Sequence, residues 1–490
     1  MINTLARAIF KLFRTTPLIV WVIIIIAAFL RLYRIDDFAT FLGDQGRDTI
    51  IMYEIATLKH FPALGPVTSI GRMFLGPLYY YLMSPWLLIA GFNPVGPAIG
   101  VAVLATFAIW LQFHAVEDML KDRMSAILSV AFTATSWVLI EYNRFSWNPN
   151  LLAPLGFFTI WAWYKALQTK QLRYYVLAGA LFSASMQMHY LGITLAIVFA
   201  ITYLFDMAIH KAQPIQHLWR MLCMVGAWAA LLAPFLLFEA IHNFPNTRSV
   251  LLLNSNENTQ TANRLGEVFS TFTHVVTYTM QQPLQENVSI ILFACISIVA
   301  LVATIKKQPI GYLCTAFVLM ILVTSLYTGA KFPHYLGTFY ILFYTIVSYI
   351  VMMVSRNKWA RLALITVVMG AFMFLQAPNY RFLYENPSRQ IARAKNVADV
   401  IAKNTDSSSY RITALPEQYA SYSYRYMLIA YYQSPIDSEN KHERGDELFV
   451  VCEQECDPRS SPLWDIAFFS PEKTAGIYHA DGATVYKLTR

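Results

Sequence analysis

The sequence predicts an α-helical polytopic membrane protein of about eleven spans, closed by a small α/β C-terminal domain. Three observations carry that prediction. Of the 490 residues, 57% are hydrophobic and only 13% are charged, too little charge to cover a soluble surface of this size. Nearly charge-free stretches recur along the first three quarters of the chain, each long enough for a hydrocarbon core of ~30 Å. From residue 378 onward the composition turns polar.

The first apolar run, 17–32, follows Arg7, Lys11 and Arg14 and leads into Arg31-Leu32-Tyr33-Arg34. No small-residue cleavage site follows it, so it reads as an uncleaved span rather than a secretory signal. Further spans are expected at 98–113, 124–140, 151–167, 174–188 and 191–209, then at 219–238, 288–305, 310–327, 336–354 and 359–375. With the N-terminus cytoplasmic, every short basic loop falls on the inner side. These loops carry Lys121 and Arg123; Lys165, Lys170 and Arg173; Lys211 and Arg220; Lys306 and Lys307; and Arg356, Lys358 and Arg361. They account for the formal charge of +8 without a nucleic-acid partner. The expected location is the plasma membrane.

This threading places loop 33–97, turn 141–150, loop 240–287, turn 329–335 and the tail on the outer side. Segment 76–92 is apolar enough to pass for a span, but counting it would invert every later loop. It reads instead as an interfacial or re-entrant helix, with Tyr79, Tyr80, Tyr81 and Trp86 at headgroup level.

The expected division is a transmembrane region over 1–377 and an extracytoplasmic α/β domain over 378–490. In the tail, helices are expected at 387–403 and 419–431, and strands at 410–414, 448–451, 466–469 and 483–488. Cys223, Cys295 and Cys314 lie in apolar segments and read as small buried hydrophobes. Cys452 and Cys456 stand together in the polar tail, where an oxidising face would let them close a short disulfide. A cysteine-only metal site would lack two further ligands nearby.

Polar residues cluster at the outward span ends. The first outer loop holds Gly43-Asp44-Gln45-Gly46-Arg47-Asp48, opening an amphipathic helix. If Asp44 starts that helix, Arg47 and Asp48 share its face at i+3 and i+4. Turn 141–150 is dense in hydrogen-bonding groups, including Arg144 and Asn148; His189 ends one span; Lys331 and His334 stand between two others. Arg144, Lys331 and His334 are candidate phosphate ligands. Taken singly, each patch is better explained as a helix cap, a local ion pair or a wet interfacial turn. Their convergence on one side suggests a shared cavity.

The loop, with Gly76-Pro77-Leu78-Tyr79-Tyr80-Tyr81 and turn 144–150, resembles the GT-C superfamily of glycosyltransferases. The resemblance is to the branch of protein O-mannosyltransferases and aminoarabinose transferases. It covers the topology of nearly the whole chain. It implies a sugar donor linked to polyprenyl phosphate, an acceptor that is a lipid, a glycan or a protein, and catalysis among membrane lipids. Asp44 matches the family's catalytic Asp. The Asp-Glu pair usual in mannosyltransferases is departed from by Gln45. Leu75 stands where aminoarabinose transferases place a Lys, leaving Arg72 as the nearest cation. Some relatives hold a divalent metal through an acidic residue in the turn that here offers Asn148, so the resemblance assigns neither a metal ligand nor a cofactor.

The implied chemistry gives Asp44 the acceptor proton and sets positive charge where the phosphate leaves. Arg47, Arg72, Arg144, Lys331 and His334 are the cations on offer, with Asp48, Tyr79, Asn148 and His189 as further substrate contacts. Inversion follows, since no second carboxylate stands out as a nucleophile. The rival from another class is a transporter or flippase of a lipid-linked or small polar substrate. That reading expects repeats and mid-membrane charge, and the sequence shows no repeat and almost no mid-membrane charge.

Overall fold

The computed structural model describes residues 10–68, 73–209, 214–249, 263–406, 410–417, 421–433 and 444–490. The chain folds as a helical bundle. Its first apolar run forms α1 (Leu18–Leu32). Loop helix α2 (Gly43–Ala56) and the short apolar α3 (Leu78–Ile89) follow. The bundle continues with α4 (Val95–Leu120), α5 (Arg123–Thr135), α6 (Trp137–Tyr142), α7 (Leu152–Thr169) and α8 (Leu172–Met188). Next come α9 (Leu195–Ile209), α10 (Pro214–Leu231), α11 (Ala233–Ile241) and α12 (Arg264–Met280). The bundle ends with α13 (Glu286–Ile305), α14 (Pro309–Thr324), α15 (Gly337–Met353) and α16 (Lys358–Gln376).

Among the described residues, five helical stretches are long and apolar enough to cross a membrane, and α10 with α11, bent by 77°, would make a sixth. Length and composition therefore do not reproduce a count of eleven. Several expected spans stop short or break. α1 and α14 have 15 and 16 residues, and segment 124–140 is two helices divided at Ser136.

That break is supported by side chains that take up the carbonyls before it and the first N–H after it, as a low-dielectric setting favours. Arg31 donates from Nη1 to Ala134 O (2.9 Å) and from Nη2 to Thr133 O (3.1 Å). The Tyr380 hydroxyl donates to Thr135 O, and Trp137 N donates to Gln376 Oε1 at 2.7 Å. The outer helices meet the opposite condition. Only 11% of the α16 span is buried inside the molecule, an apolar surface that water would not tolerate. The chain is a multi-pass membrane protein.

Loop 240–287 differs from expectation, because much of it is α12. Its buried residues Val268, Thr271, Phe272, Val275, Val276 and Thr279 recur at helical spacing. Phe272 packs its ring on Phe293 and Phe317, inside the bundle.

The C-terminal sheet domain is built from α17 (Gln390–Asn404), β1 (Tyr410–Leu415), α18 (Tyr422–Tyr432), β2 (Glu447–Cys452), α19 (Trp464–Phe469), β3 (Lys473–Ala480) and β4 (Ala483–Thr489). Strand order is β1-β2-β4-β3, with β1 and β2 parallel and the other pairs antiparallel. β2 is buried on both faces and so reads as a continuous apolar run. Phe449 and Val451 join a core with α17 and α18, while Leu448 and Val450 pack against Ile466 and Phe469. The expected strand at 466–469 is thus helix α19. A four-residue apolar run fits either state, and here Ile466 and Phe469, three apart, share the face turned to the sheet. β3 went unanticipated because its exposed residues show little apolar pattern. The Cys452 and Cys456 sulfurs are bonded, with Cα atoms 6.0 Å apart.

This domain rests on α2. Tyr426 donates its hydroxyl to Phe92 O, Phe41 N donates to Gln390 Oε1 at 2.8 Å, and Arg389 N donates to Asp37 O at 3.0 Å. Gly46 lies so close to α18 that a Cβ there would stand 2.4 Å from Ser423 N. One apolar cluster runs from Met52 and Ile55 of α2 through Tyr80 and Met83 of α3 to Val397 and Tyr426.

Candidate active site

Helix α2 opens at Leu42, whose N–H donates to Gln45 Oε1 (3.2 Å). Asp44 sits in the first turn, where the helix dipole favours an anion. Arg47 lies one turn on and bridges two carboxylates. Its Nη1 donates to Asp44 Oδ1 at 2.8 Å, and Nη2 and Nε donate to Asp48 Oδ1 at 2.7 and 2.9 Å. The two acids differ in environment. The Asp44 side chain is 50% exposed, whereas that of Asp48 is 1% exposed.

Tyr80 donates its hydroxyl to Asp48 Oδ1 (3.1 Å), and Asp48 Oδ2 has no partner among the described residues. Burial raises the Asp48 pKa to about 6, outweighing the opposing pull of Arg47. Arg47 meets the same burial, which would lower its pKa, yet Asp48 and Asp44 hold it above the ordinary value.

Asp44 and Arg47 form one wall of a cavity of about 90 Å³, completed by Leu75, Trp147, Asn148, His189, Tyr190, His334 and Tyr335 among others. These residues come from separate parts of the chain. Asn148 is fixed by donating Nδ2 to Met188 O at 2.6 Å, which ties its turn to the end of α8. Tyr79 steadies the same turn through a 2.7 Å contact between its hydroxyl and Ser146 Oγ.

The far wall is aromatic. The ring centroids of Trp147 and His334 are 4.5 Å apart, those of His334 and Tyr335 4.6 Å, and those of His189 and Tyr335 4.9 Å. His189 is buried, and burial lowers its pKa to about 3, with His334 adding to the effect. The imidazole is therefore neutral. Its Nδ1 accepts the Leu191 N–H at 3.2 Å, so Nε2 carries the proton and is the donor.

Other sequence candidates lie elsewhere. Arg144 is spent on the C-terminal end of α1, donating to Leu30 O (2.9 Å), Arg31 O (3.2 Å) and Tyr33 O (2.8 Å), with its guanidinium 3.9 Å above the Phe382 ring. Lys331 pairs with Glu267 Oε2 at 2.7 Å and does not line the cavity. Arg72 lies outside the described residues. Glu267 escaped sequence reasoning, because its partner is 64 positions away.

Among the described residues, no three His, Cys, Asp or Glu side chains gather as metal ligands. Asn148, at the place where some GT-C relatives hold a metal, spends its donor on backbone.

Residues 75–238 match the profile of a family described as dolichyl-phosphate-mannose-protein mannosyltransferase. The fold is similar to that of ArnT from Cupriavidus metallidurans bound to undecaprenyl phosphate, with a TM-score of 0.60 at 13% identity over 96% of this chain and 97% of that one. The apo state of the same protein matches with a TM-score of 0.58 at 12% identity, over 96% and 97% of the two chains. The Archaeoglobus fulgidus oligosaccharyltransferase in its apo form matches with a TM-score of 0.51 at 13% identity, over 86% of this chain and 64% of that one. No curated protein sequence matches. The chain thus has an ArnT-like fold, and residues 75–238 resemble the mannosyltransferase family.

Proposed function

We propose that the chain transfers a sugar from a polyprenyl-phosphate carrier to an acceptor hydroxyl on the outer face of the membrane, with inversion, and that Asp44 is the general base. The observation that carries this reading is the half-exposed Asp44 carboxylate held by Arg47 at the edge of a cavity with an aromatic far wall. The acceptor O–H gives its proton to Asp44 as its oxygen bonds to the anomeric carbon. The bond from that carbon to the phosphate oxygen breaks, and the polyprenyl phosphate leaves with the electron pair. Arg47 and the Nε2–H of His189 supply positive charge and a donor for the oxygens on which negative charge builds.

Inversion is supported by where the second acid lies. Asp48 is buried behind Arg47 and is not part of the cavity wall, so a covalent intermediate on it would need the ion pair dismantled. The aromatic wall suits the apolar face of a sugar ring. At about 90 Å³ the cavity falls below the roughly 300 Å³ of common ligand sites, so substrate entry requires its walls to part. Membrane orientation rests on the distribution of basic loops, and the outward facing of the C-terminal domain follows from it.

The test is to supply membranes bearing the protein with a panel of radiolabelled polyprenyl-phosphate sugars and to determine the anomeric configuration of the product by NMR. Transfer with inverted configuration is expected. A retained configuration would refute the single displacement, and no transfer from any lipid-linked donor would refute the donor class.

A further inference from the structure

A second cavity, of about 940 Å³, lies at the other end of the bundle. α8 gives the separation. Tyr174, Leu177 and Leu181 line this cavity, whereas His189 at the end of the same helix lines the candidate site. Eight to fifteen residues of helix amount to roughly 12–22 Å. The cavity opens between α4, α7, α8 and the residues leading into α1, and its lining is amphipathic. Leu111, Phe158, Leu177 and Leu181 give it apolar surface, and Lys11, Lys121, Arg123 and Lys165 give it basic groups.

Glu117 and Asp118 are the acidic groups among them, so basic side chains exceed acidic ones by two. The acids organise the bases. Asp118 takes Lys121 at 2.9 Å on one oxygen and Lys165 at 2.7 Å on the other, while Glu117 holds Arg123 at 2.7 Å. His114, also in the lining, is tied to Thr16 Oγ1 at 3.0 Å. Trp161 also lines the cavity.

We infer that this cavity is a binding site for one anionic phospholipid, its chains among Leu111, Phe158, Leu177 and Leu181 and its phosphate among the basic groups. Two features converge on that occupant. The apolar lining fits acyl chains, and the surplus positive charge selects an anionic headgroup over a zwitterionic one. Basic recesses between membrane helices hold anionic headgroups in this way. The site is independent of the transfer reaction and stands whether or not Asp44 is the base.

The experiment is native mass spectrometry of the full chain released from bilayers of equal phosphatidylglycerol and phosphatidylcholine. One phosphatidylglycerol is expected to stay bound in preference to phosphatidylcholine by roughly tenfold or more, given two surplus charges. Leu177→Trp, which fills the cavity from a half-exposed position, should remove the retained lipid. Lys121→Glu, at an exposed position, should lower the preference several-fold. Equal retention of both lipids, or retention unchanged in Leu177→Trp, would overturn the proposal. Should Leu177→Trp not insert, brominated-chain phosphatidylglycerol gives the second reading. It should quench wild-type fluorescence more than that of Trp161→Phe, and equal quenching would count against the site.

Discussion

Arg47 and Arg144 are both arginines in polar stretches that the sequence marks as candidate phosphate ligands, and they have opposite fates. Arg47 pairs with two carboxylates at the lip of a cavity. Arg144 gives its donors to the last carbonyls of α1 and lays its guanidinium on Phe382. The difference lies in what each neighbourhood lacks. A helix end leaves carbonyls without intrahelical partners, and a buried end must find donors elsewhere. Turn 141–150 supplies one, so Arg144 holds the bundle together. At the start of α2 the free backbone groups are N–H donors, which a guanidinium cannot serve, and Arg47 is left to organise charge. Whether a cation serves substrate or scaffold is thus decided by following its hydrogen bonds.

Exchanging each arginine for methionine is the sharpest way to break this comparison. Arg47→Met should leave buried Asp48 without its cation, lowering stability until that carboxyl takes up a proton. It should also reduce transfer per folded molecule by roughly a hundredfold, the usual cost of losing one well-placed electrostatic contact. Single-turnover kinetics in nanodiscs would show it, and a near-normal rate per folded molecule would remove Arg47 from the site. Arg144→Met should affect stability alone. Unpairing the end of α1 is expected to cost roughly 1–3 kcal/mol, visible as a lower thermal midpoint, while transfer per folded molecule stays close to wild type. A selective loss of rate with unchanged stability would place Arg144 in the chemistry after all.

A smaller effect should appear with pH. Asp48 is held near pKa 6, chiefly by burial, so it is charged above that value and neutral below. As pH falls through 6, Arg47 loses its buried partner and transfer should decline. The sign for stability is opposite. Folding raises this pKa above the ordinary carboxylate value, so the folded state binds the proton more tightly, and acidification across that window favours folding at this group. The decline in rate should therefore come without unfolding, and Asp48→Asn should lose the inflection near pH 6. An identical pH–rate profile in that variant would remove Asp48 from the control of Arg47.

Much of the fold was readable because hydrophobic length speaks directly. Runs 288–305 and 359–375 became α13 and α16 within two residues at each end. The Asp44, Arg47 and Asp48 face was readable from helical spacing, and Arg47 does meet both acids. What was not readable depends on partners distant in the chain. α12 has an apolar stripe but too polar an average to read as a span, and only the bundle shows what the stripe meets. The break at Ser136 needs Arg31, Gln376 and Tyr380, none of which advertises that role. The partners of Arg144 are carbonyls, which every residue carries and no side-chain pattern reveals. The sequence also singled out Lys331 and His334 together, but they part company. His334 faces the cavity, while Lys331 turns to Glu267.

The central claim, that Asp44 takes the acceptor proton, is tested most directly by single-turnover sugar transfer from a polyprenyl-phosphate donor by wild type and Asp44→Asn, matched for thermal midpoint in the same bilayer. Asparagine keeps the shape and hydrogen-bonding reach of Asp44 but cannot accept the proton. The account predicts a loss of roughly 10²–10⁴-fold in the chemical step, with donor binding little changed. Transfer by Asp44→Asn at the wild-type rate would contradict it.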